Sequence, residues 1–441
     1  MTIRPLSTIA GVLFALGTIA QGPVSLSLKQ AMDMAAQQSY AVQASELEAE
    51  KARAKIKEVT AIGLPQINGT GSLSNYIKVP TQVIPNFFGD DPETIEVQFG
   101  IPWSITGGVQ LNQLLFDGSY LVGLRASREL KTKSDKDLEK TMADARAQAA
   151  KAYLSVLAAE EGVRLIGEGL PVVEKASHDA TAMVEQGLME STDADRLTVQ
   201  MEETRAQQRS LQQQAAVARA YLALVLGLPT GTPITLTDAL QPLLDDPAEA
   251  GLADLQLDVA KHVDDEVAQS LVRLSELEVR NQKAAYYPQL SGFINYQQQY
   301  YSETFNPGAG PWFPASLWGL SLNVPIFSSG MREQRVKQAK LTLDQAGINL
   351  KATEQRLLTE HLQQQAVLKA AQDNYTTGKK NMELSKTIFE RVSIRFSEGV
   401  GSSFELTQEH SNYLMTQQTY IQRIVDLLQA RTDMRKALDL Y

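Results

Sequence analysis

The chain of 441 residues contains no cysteine. That excludes disulfides, thiolate metal sites, cysteine nucleophiles and a lipidated N-terminal cysteine. Histidine is scarce: His178, His262, His361 and His410 are the four, and no two stand at a metal-ligand spacing. No P-loop, G-x-G-x-x-G or G-x-S-x-G pattern occurs. The sequence therefore offers no catalytic residue, no cofactor-binding residue and no metal site, and reads as a protein that is not an enzyme. The formal net charge is −10. With no dense Lys/Arg block, nucleic acid is not the expected partner. The one long apolar run lies in residues 1–20, where Arg4 is the sole charge and Thr18 and Ala20 are small. It reads as a secretion signal peptide, with a buried N-terminal helix as the alternative. No other apolar run reaches transmembrane-helix length, so any membrane location must be reached without one. Of the acidic clusters, Asp90–Asp91 falls in a loop where it would bind a cation weakly. Asp264, Asp265 and Glu266 fall where a helix should start and suit its N-terminus.

What the sequence does contain is repetition. Leu64-Pro65-Gln66-Ile67-Asn68-Gly69 is echoed by Tyr287-Pro288-Gln289-Leu290-Ser291-Gly292. LNQLLFDG at 111–118 is echoed by LNVPIFSSG at 322–330, and EQGLMESTD at 185–193 by SEGVGSSFE at 397–405. The three matches keep their order, so the chain reads as a duplicated plan. A first repeat spans 21–227, a linker 228–254, and a second repeat 255–441.

Each repeat opens with helical composition and turns into alternation at its Pro-Gln pair. From 103 to 112, Trp103, Ile105, Gly107, Val109 and Leu111 face one way and Ser104, Thr106, Gly108, Gln110 and Asn112 the other. That period of two is a strand with one apolar face. The expected strands are about 64–77 and 103–116 in the first repeat, and about 287–301 and 317–327 in the second. Phe293 alone breaks its strand's alternation. Pro- and Gly-rich loops are expected at Lys78–Pro102 and Ser302–Ser316.

Each second strand runs into a very long helical stretch, expected at about 119–186 and 330–397. Each would be near 100 Å long at about 1.5 Å per residue, with Pro171 kinking the first. Apolar residues recur every seven positions: Val336, Leu343, Leu350 and Leu357; Leu138, Ala145, Ala152 and Ala159; Leu406, Tyr413, Tyr420, Leu427 and Met434. Seven-residue spacing specifies coiled-coil seams rather than a globular core. Gly187 and Gly399 interrupt the helices as hairpin tips. Ser191-Thr192-Asp193 and Ser402-Ser403 supply N-caps for the returning helices.

Alternating strands of this length with aromatic residues near their ends fit a transmembrane β-barrel, and a soluble sheet is the alternative. Four strands cannot close, and open edges are not tolerated in lipid. About eight strands are the minimum, so copies of the chain must assemble, most simply with cyclic symmetry.

With the duplicated plan, the Pro-Gln strand starts, Leu114-Leu115-Phe116-Asp117-Gly118 with its echo Pro325-Ile326-Phe327-Ser328-Ser329-Gly330, and the tip Arg395-Phe396-Ser397-Glu398-Gly399, the chain resembles the TolC-like outer-membrane efflux proteins. The resemblance implies an α+β membrane protein. Three copies would form a 12-stranded outer-membrane β-barrel continued by a 12-helix periplasmic α-barrel. Part of an equatorial belt would come from the linker 228–254. It implies a Gram-negative outer-membrane location, outer-membrane lipid around the barrel, and a passive exit duct for tripartite efflux or type I secretion. A periplasmic adaptor and an inner-membrane pump would open it by docking at the tips, with Gly187, Leu188, Met189, Gly399 and Val400 as contacts. It implies a constriction inside the second tip, at Phe396, Gly401, Phe404, Glu405 and Gln408. The family's pattern has a Tyr, an Arg and two acids there. This chain keeps only the acid Glu405, so closure is expected from packing of Phe396 and Phe404, with Glu405 as an acidic ring or a simple first-turn acid. Pro65 and Pro288 mark the helix-to-strand junctions. A non-conducting structural coiled-coil envelope protein is the competing reading.

Overall fold

A computed structural model describes residues 24–85, 87, 94–249, 251–308 and 310–441. The expected signal peptide and the Asp90–Asp91 pair lie outside the described residues. The chain divides into two compact units, and each draws on both sequence repeats. The first comprises residues up to 43, 141–257 and 361–441, and the second residues 44–140 and 258–360. Among the described residues, no helix is long and apolar enough to cross a membrane.

The second unit is built on a four-stranded antiparallel sheet, in the order β2 (Gln66–Asn75), β5 (Trp103–Phe116), β7 (Gln289–Ser302), β8 (Phe313–Asn323). The two repeats meet at its centre, where β5 pairs with β7. Both Pro-Gln pairs act as read: β2 and β7 begin at the residue after Pro65 and after Pro288. Proline has no N–H for a ladder and disfavours helix just upstream, so helix ends and strand begins around it.

Directly opposed residues share a face, and the register gives the sheet one mainly apolar and one mainly polar face. Ile67, Leu111 and Ile294 pair in a row that ends at Trp318. The opposite face carries Asn68, Gln110 and Asn295 in the next row. The apolar face is bare, with Ile67, Trp318, Leu320 and Leu322 all exposed. Phe293 falls on the polar face because its ring lies over Gly319 of β8, where a Cβ would come within 2.7 Å of the ring. A glycine with no side chain to pack is covered by a cross-strand aromatic.

Two of the expectations for the strands and their loops are corrected. The last strand covers Phe313–Asn323 rather than 317–327, since Pro325 cannot extend a ladder. The loop expected at Lys78–Pro102 contains a hairpin of β3 (Thr81–Pro85) and β4 (Thr94–Gln98). The flanking prolines Pro80 and Pro85 masked it in the sequence. Of the remaining strands, β5 keeps the expected limits, β2 is two residues shorter at each end, and β7 begins two residues later and ends one residue later than expected.

Helices α2 (Tyr40–Ile62) and α6 (Val263–Ala284) feed β2 and β7. The first residues of α3 (Gly118–Glu185) and α7 (Met331–Ser397) leave β5 and β8. Ser39 ends α1 (Leu28–Gln38) and separates it from α2. Asp264 at the start of α6 ties three of these helices together. It accepts from Lys140 of α3 and at 2.6 Å from Arg356 of α7. The acidic first turn thus has partners besides the helix dipole.

The first unit is a seam of helices: α1, the later parts of α3 and α7, α4 (Ser191–Val225) and α8 (Ser403–Ala437). The heptad residues Leu406, Tyr413, Tyr420, Leu427 and Met434 are all buried. So are Leu197, Leu222, Leu368 and Ile424. Each such side chain stabilises by about 1.5–3 kcal/mol. Helix α3 continues as a helix through Pro171.

The linker 228–254 contributes β6 (Ile234–Leu236), which pairs in parallel with β1 (Val24–Leu26), and the short α5 (Leu240–Leu244). The buried hydroxyl of Tyr153 on α3 donates to the Leu26 carbonyl at 3.0 Å and accepts from the Asp238 amide at 3.3 Å. Burial pushes this phenol up to about 12. Asp238 in turn accepts at 2.6 Å from the amide of Leu28, the first residue of α1, which Ser27 caps.

Candidate functional site

Both hairpin tips close with one device. Helix α3 ends at Glu185, and Gly187 follows at φ +70°. Its amide donates to Val184 O at 2.9 Å, and the Leu188 amide reaches back to Met183 O at 2.8 Å. At the other tip Gly399 has φ +76°; its amide donates to Phe396 O at 3.0 Å and the Val400 amide to Arg395 O at 3.0 Å. This pair of bonds is a Schellman cap, and it needs the left-handed backbone that glycine adopts without strain. The residue after each glycine is thrown outward, leaving Leu188 and Val400 74% and 66% exposed. Met189 instead packs inward against the core beneath the tip.

That core brings together Val173, Ala176 and Ala180 of α3, Leu197 of α4, Phe389, Val392 and Phe396 of α7, and Leu406 and Tyr413 of α8. Phe396 is a core residue at 4% exposure, whereas Phe404 is 63% exposed and outside this cluster. In a single chain the expected pairing of Phe396 with Phe404 is therefore not made. The Arg196 guanidinium lies 5.8 Å from the Phe404 ring centre instead.

Glu405 accepts from Arg395 Nη1 at 2.8 Å, across the turn, and its amide is capped by Ser402 Oγ at 3.1 Å. Gln408 donates to Asn412 along the same helix at 3.2 Å and is exposed. Gly401 donates to Arg395 O at 3.0 Å, and a Cβ there would come within 2.9 Å of the Phe396 amide nitrogen. The cap expectation holds for Ser402. At the other tip it is corrected: Glu190 precedes α4 and makes no side-chain cap bond, while Asp193 is drawn away to α8 and Arg196.

Sequence reasoning missed the polar links between the two hairpins. Ser403 of α8 donates to Asp193 of α4 at 2.6 Å. One heptad further, Gln200 Nε2 lies 3.0 Å from His410 Nδ1. The His410 ring sits 5.0 Å from that of Phe389, and its Nε2 is buried without a partner. Burial pushes the imidazole down to about 4, so it is neutral near pH 7. The matching seven-residue steps, 193 to 200 and 403 to 410, were the available clue.

Residues 31–228 and 266–439 match the family described as outer membrane efflux protein. The probable efflux pump outer membrane protein TtgC of Pseudomonas putida is 23% identical over 400 residues, covering 90% of this chain and 79% of its own. Among solved structures, a membrane protein from Pseudomonas aeruginosa aligns with a TM-score of 0.72 at 18% identity, covering 93% of this chain and 92% of its own. The outer membrane protein VceC from Vibrio cholerae aligns with a TM-score of 0.68 at 14% identity, covering 93% and 95%. These structures share the fold.

Proposed function

Because this chain belongs to the outer membrane efflux protein family, we propose that three copies form a continuous duct whose tips are opened by partner proteins. As a family member it is an outer-membrane protein of efflux. The observation that supports a closed assembly is the sheet. Strands β2 and β8 each pair on one side only, and the face they share is apolar and bare. In lipid such edges must be paired. Twelve strands from three chains satisfy that requirement. The helices would continue the passage as a 12-helix α-barrel, with 228–254 in its equatorial belt.

Solute moves passively in this reading, since the duct has no energy-coupling machinery of its own and relies on a pump. The adaptor and inner-membrane pump dock at the tips, where Leu188 and Val400 are the exposed apolar contacts and Gly187 and Gly399 set the turn. Met189 supports the tip from within. Phe396 acts as part of the packed core behind the constriction, and Gly401 lets the chain pass close to it. Phe404, Glu405 and Gln408 are the groups left to line the opening. Reconstitution into a planar bilayer tests the duct. Conductance steps from inserted protein, larger after Glu405→Gln with Phe404→Ala, are the expected result. Inserted assemblies that never conduct, in either form, would support a purely structural coiled-coil protein.

A further inference from the structure

No residue of β2, β5, β7 or β8 is charged, although 21% of the chain is. On the apolar face this is what lipid demands. On the polar face nothing demands it, because a water-filled passage tolerates Asp, Glu, Lys and Arg. Charge is abundant just beyond the sheet: α3 carries Arg125, Arg128, Glu129, Lys131 and Lys133 soon after β5 ends. The polar face of β2, β5 and β7 carries mainly amides and hydroxyls instead, with Leu317, Ala315 and Phe313 of β8 completing its rows and Phe293 among them. Asn68 of β2 opposes Gln110 of β5, which opposes Asn295 of β7. Two residues along, on the same face of β7, Gln297 opposes Gly108, and two further on Gln299 opposes Thr106. Adjacent strands lie about 4.8 Å apart, so these amides form one continuous patch. Gln110 Nε2 already donates to Asn112 Oδ1 at 3.1 Å within it.

We propose that this charge-free face is the wall of the membrane passage and lets anionic and cationic solutes through that segment alike. The inference rests on the assembled duct of the preceding section and deepens it. A primary amide both donates and accepts, so the wall stays hydrated and exchanges hydrogen bonds with neutral polar groups. It holds no fixed charge, so it presents no Coulomb filter of the kind that charged rings build in selective pores. Asn68, Gln110, Asn295, Gln297 and Gln299 are the amides of this wall.

The absence of native cysteine makes the test clean. Asn295→Cys and Gln297→Cys are prepared in the full-length, membrane-inserted assembly, with Ile294→Cys and Trp318→Cys on the opposite face as controls. Each is treated with an anionic and a cationic methanethiosulfonate, and rates are normalised to those of a free small thiol. Both polar-face cysteines should react with both reagents, at a normalised anion-to-cation ratio within about threefold of unity. The two controls should stay unreactive. A ratio skewed by about tenfold or more, the size a ring of like charges produces, overturns the charge-free wall. Reaction at Ile294→Cys with none at Asn295→Cys overturns the assignment of the face. Failure to obtain any membrane-inserted assembly instead overturns the duct itself.

Discussion

Ser403 of α8 donates its hydroxyl proton to Asp193 of α4 across 2.6 Å, joining the two hairpins of one chain just behind their tips. Ser403 is buried, whereas Asp193 is partly exposed and also pairs with Arg196 at 3.2 Å. With the Gln200–His410 contact one heptad further, this bond is one of the few polar contacts in a mainly apolar seam, the kind that fixes the register of packed helices. Ser403→Ala deletes a hydrogen bond to a charged group, worth about 1.5–3 kcal/mol in general. Arg196 and water remain for Asp193, so the lower end of that range is expected. The measurement is the unfolding midpoint together with hydrogen exchange at the start of α8. Faster exchange there and a lowered midpoint are the expected results; unchanged values contradict a role for the contact.

His410 gives the fold a dependence on pH. Its folded value of about 4 lies below the ordinary 6.5, through burial. The groups nearest it across the seam, Gln200 and Phe389, carry no charge to hold a proton. A buried histidine kept neutral contributes its full stability above pH 6.5 and loses it as pH falls toward 4. The whole effect is on the order of 3 kcal/mol. Asp264 acts in a lower window. Burial raises its value, but the bonds from Lys140 and Arg356 outweigh that and hold it below 3.8. Its contribution is therefore lost only under stronger acid. His410→Gln should flatten the unfolding curve between pH 6.5 and 4 and leave the stronger-acid limb in place. An unchanged slope in the upper window would contradict the assignment.

Gly319 and Phe293 make a further testable pair. Adding a methyl at Gly319 brings it within 2.7 Å of the Phe293 ring. Overpacking of this kind costs about 1–3 kcal/mol. Gly319→Ala should reduce the yield of folded assembly, and Phe293→Leu in the same chain should restore much of it. Equal loss in the single and double variants would show that the ring is not the obstacle.

The Pro-Gln junction offers another. Pro288→Ala removes the residue that separates α6 from β7. The expected result is a looser junction, read as a lower thermal midpoint of the assembly. Normal yield and an unchanged midpoint would make the proline incidental.

Much of this architecture was legible because it is periodic. Alternation over Trp103–Asn112 and heptads through Leu406, Tyr413 and Tyr420 state a face and a period directly, and the long helices end within a residue of the expected positions. The elements that stayed hidden are short or long-range. β1 exists only because Ile234, more than 200 residues away, pairs with Val24, and three residues carry no period. β3 and β4 are bounded by prolines that read as loop. At the tips, Gly187 and Gly399 were visible as turns. That Phe396 is buried and Phe404 exposed was not, since the two follow from how four helices pack rather than from either segment. The Gln200–His410 contact likewise needs the relative alignment of α4 and α8.

A charge on the apolar face probes the sheet itself. Val109 and Leu322 are exposed on that face. A charge there costs about 2–4 kcal/mol at mid-bilayer depth for Lys or Arg. Val109→Lys should prevent membrane insertion while Gln110→Lys, one residue along and on the other face, should permit it. Equal insertion of the two would place both faces in water.

The most direct measurement is the mass of the detergent-extracted particle by native mass spectrometry. Three chains, each no heavier than 48.4 kDa, are the result expected if β2 of one copy closes against β8 of the next. A single chain or a pair would leave four or eight strands around a passage meant to have twelve, and would contradict the duct.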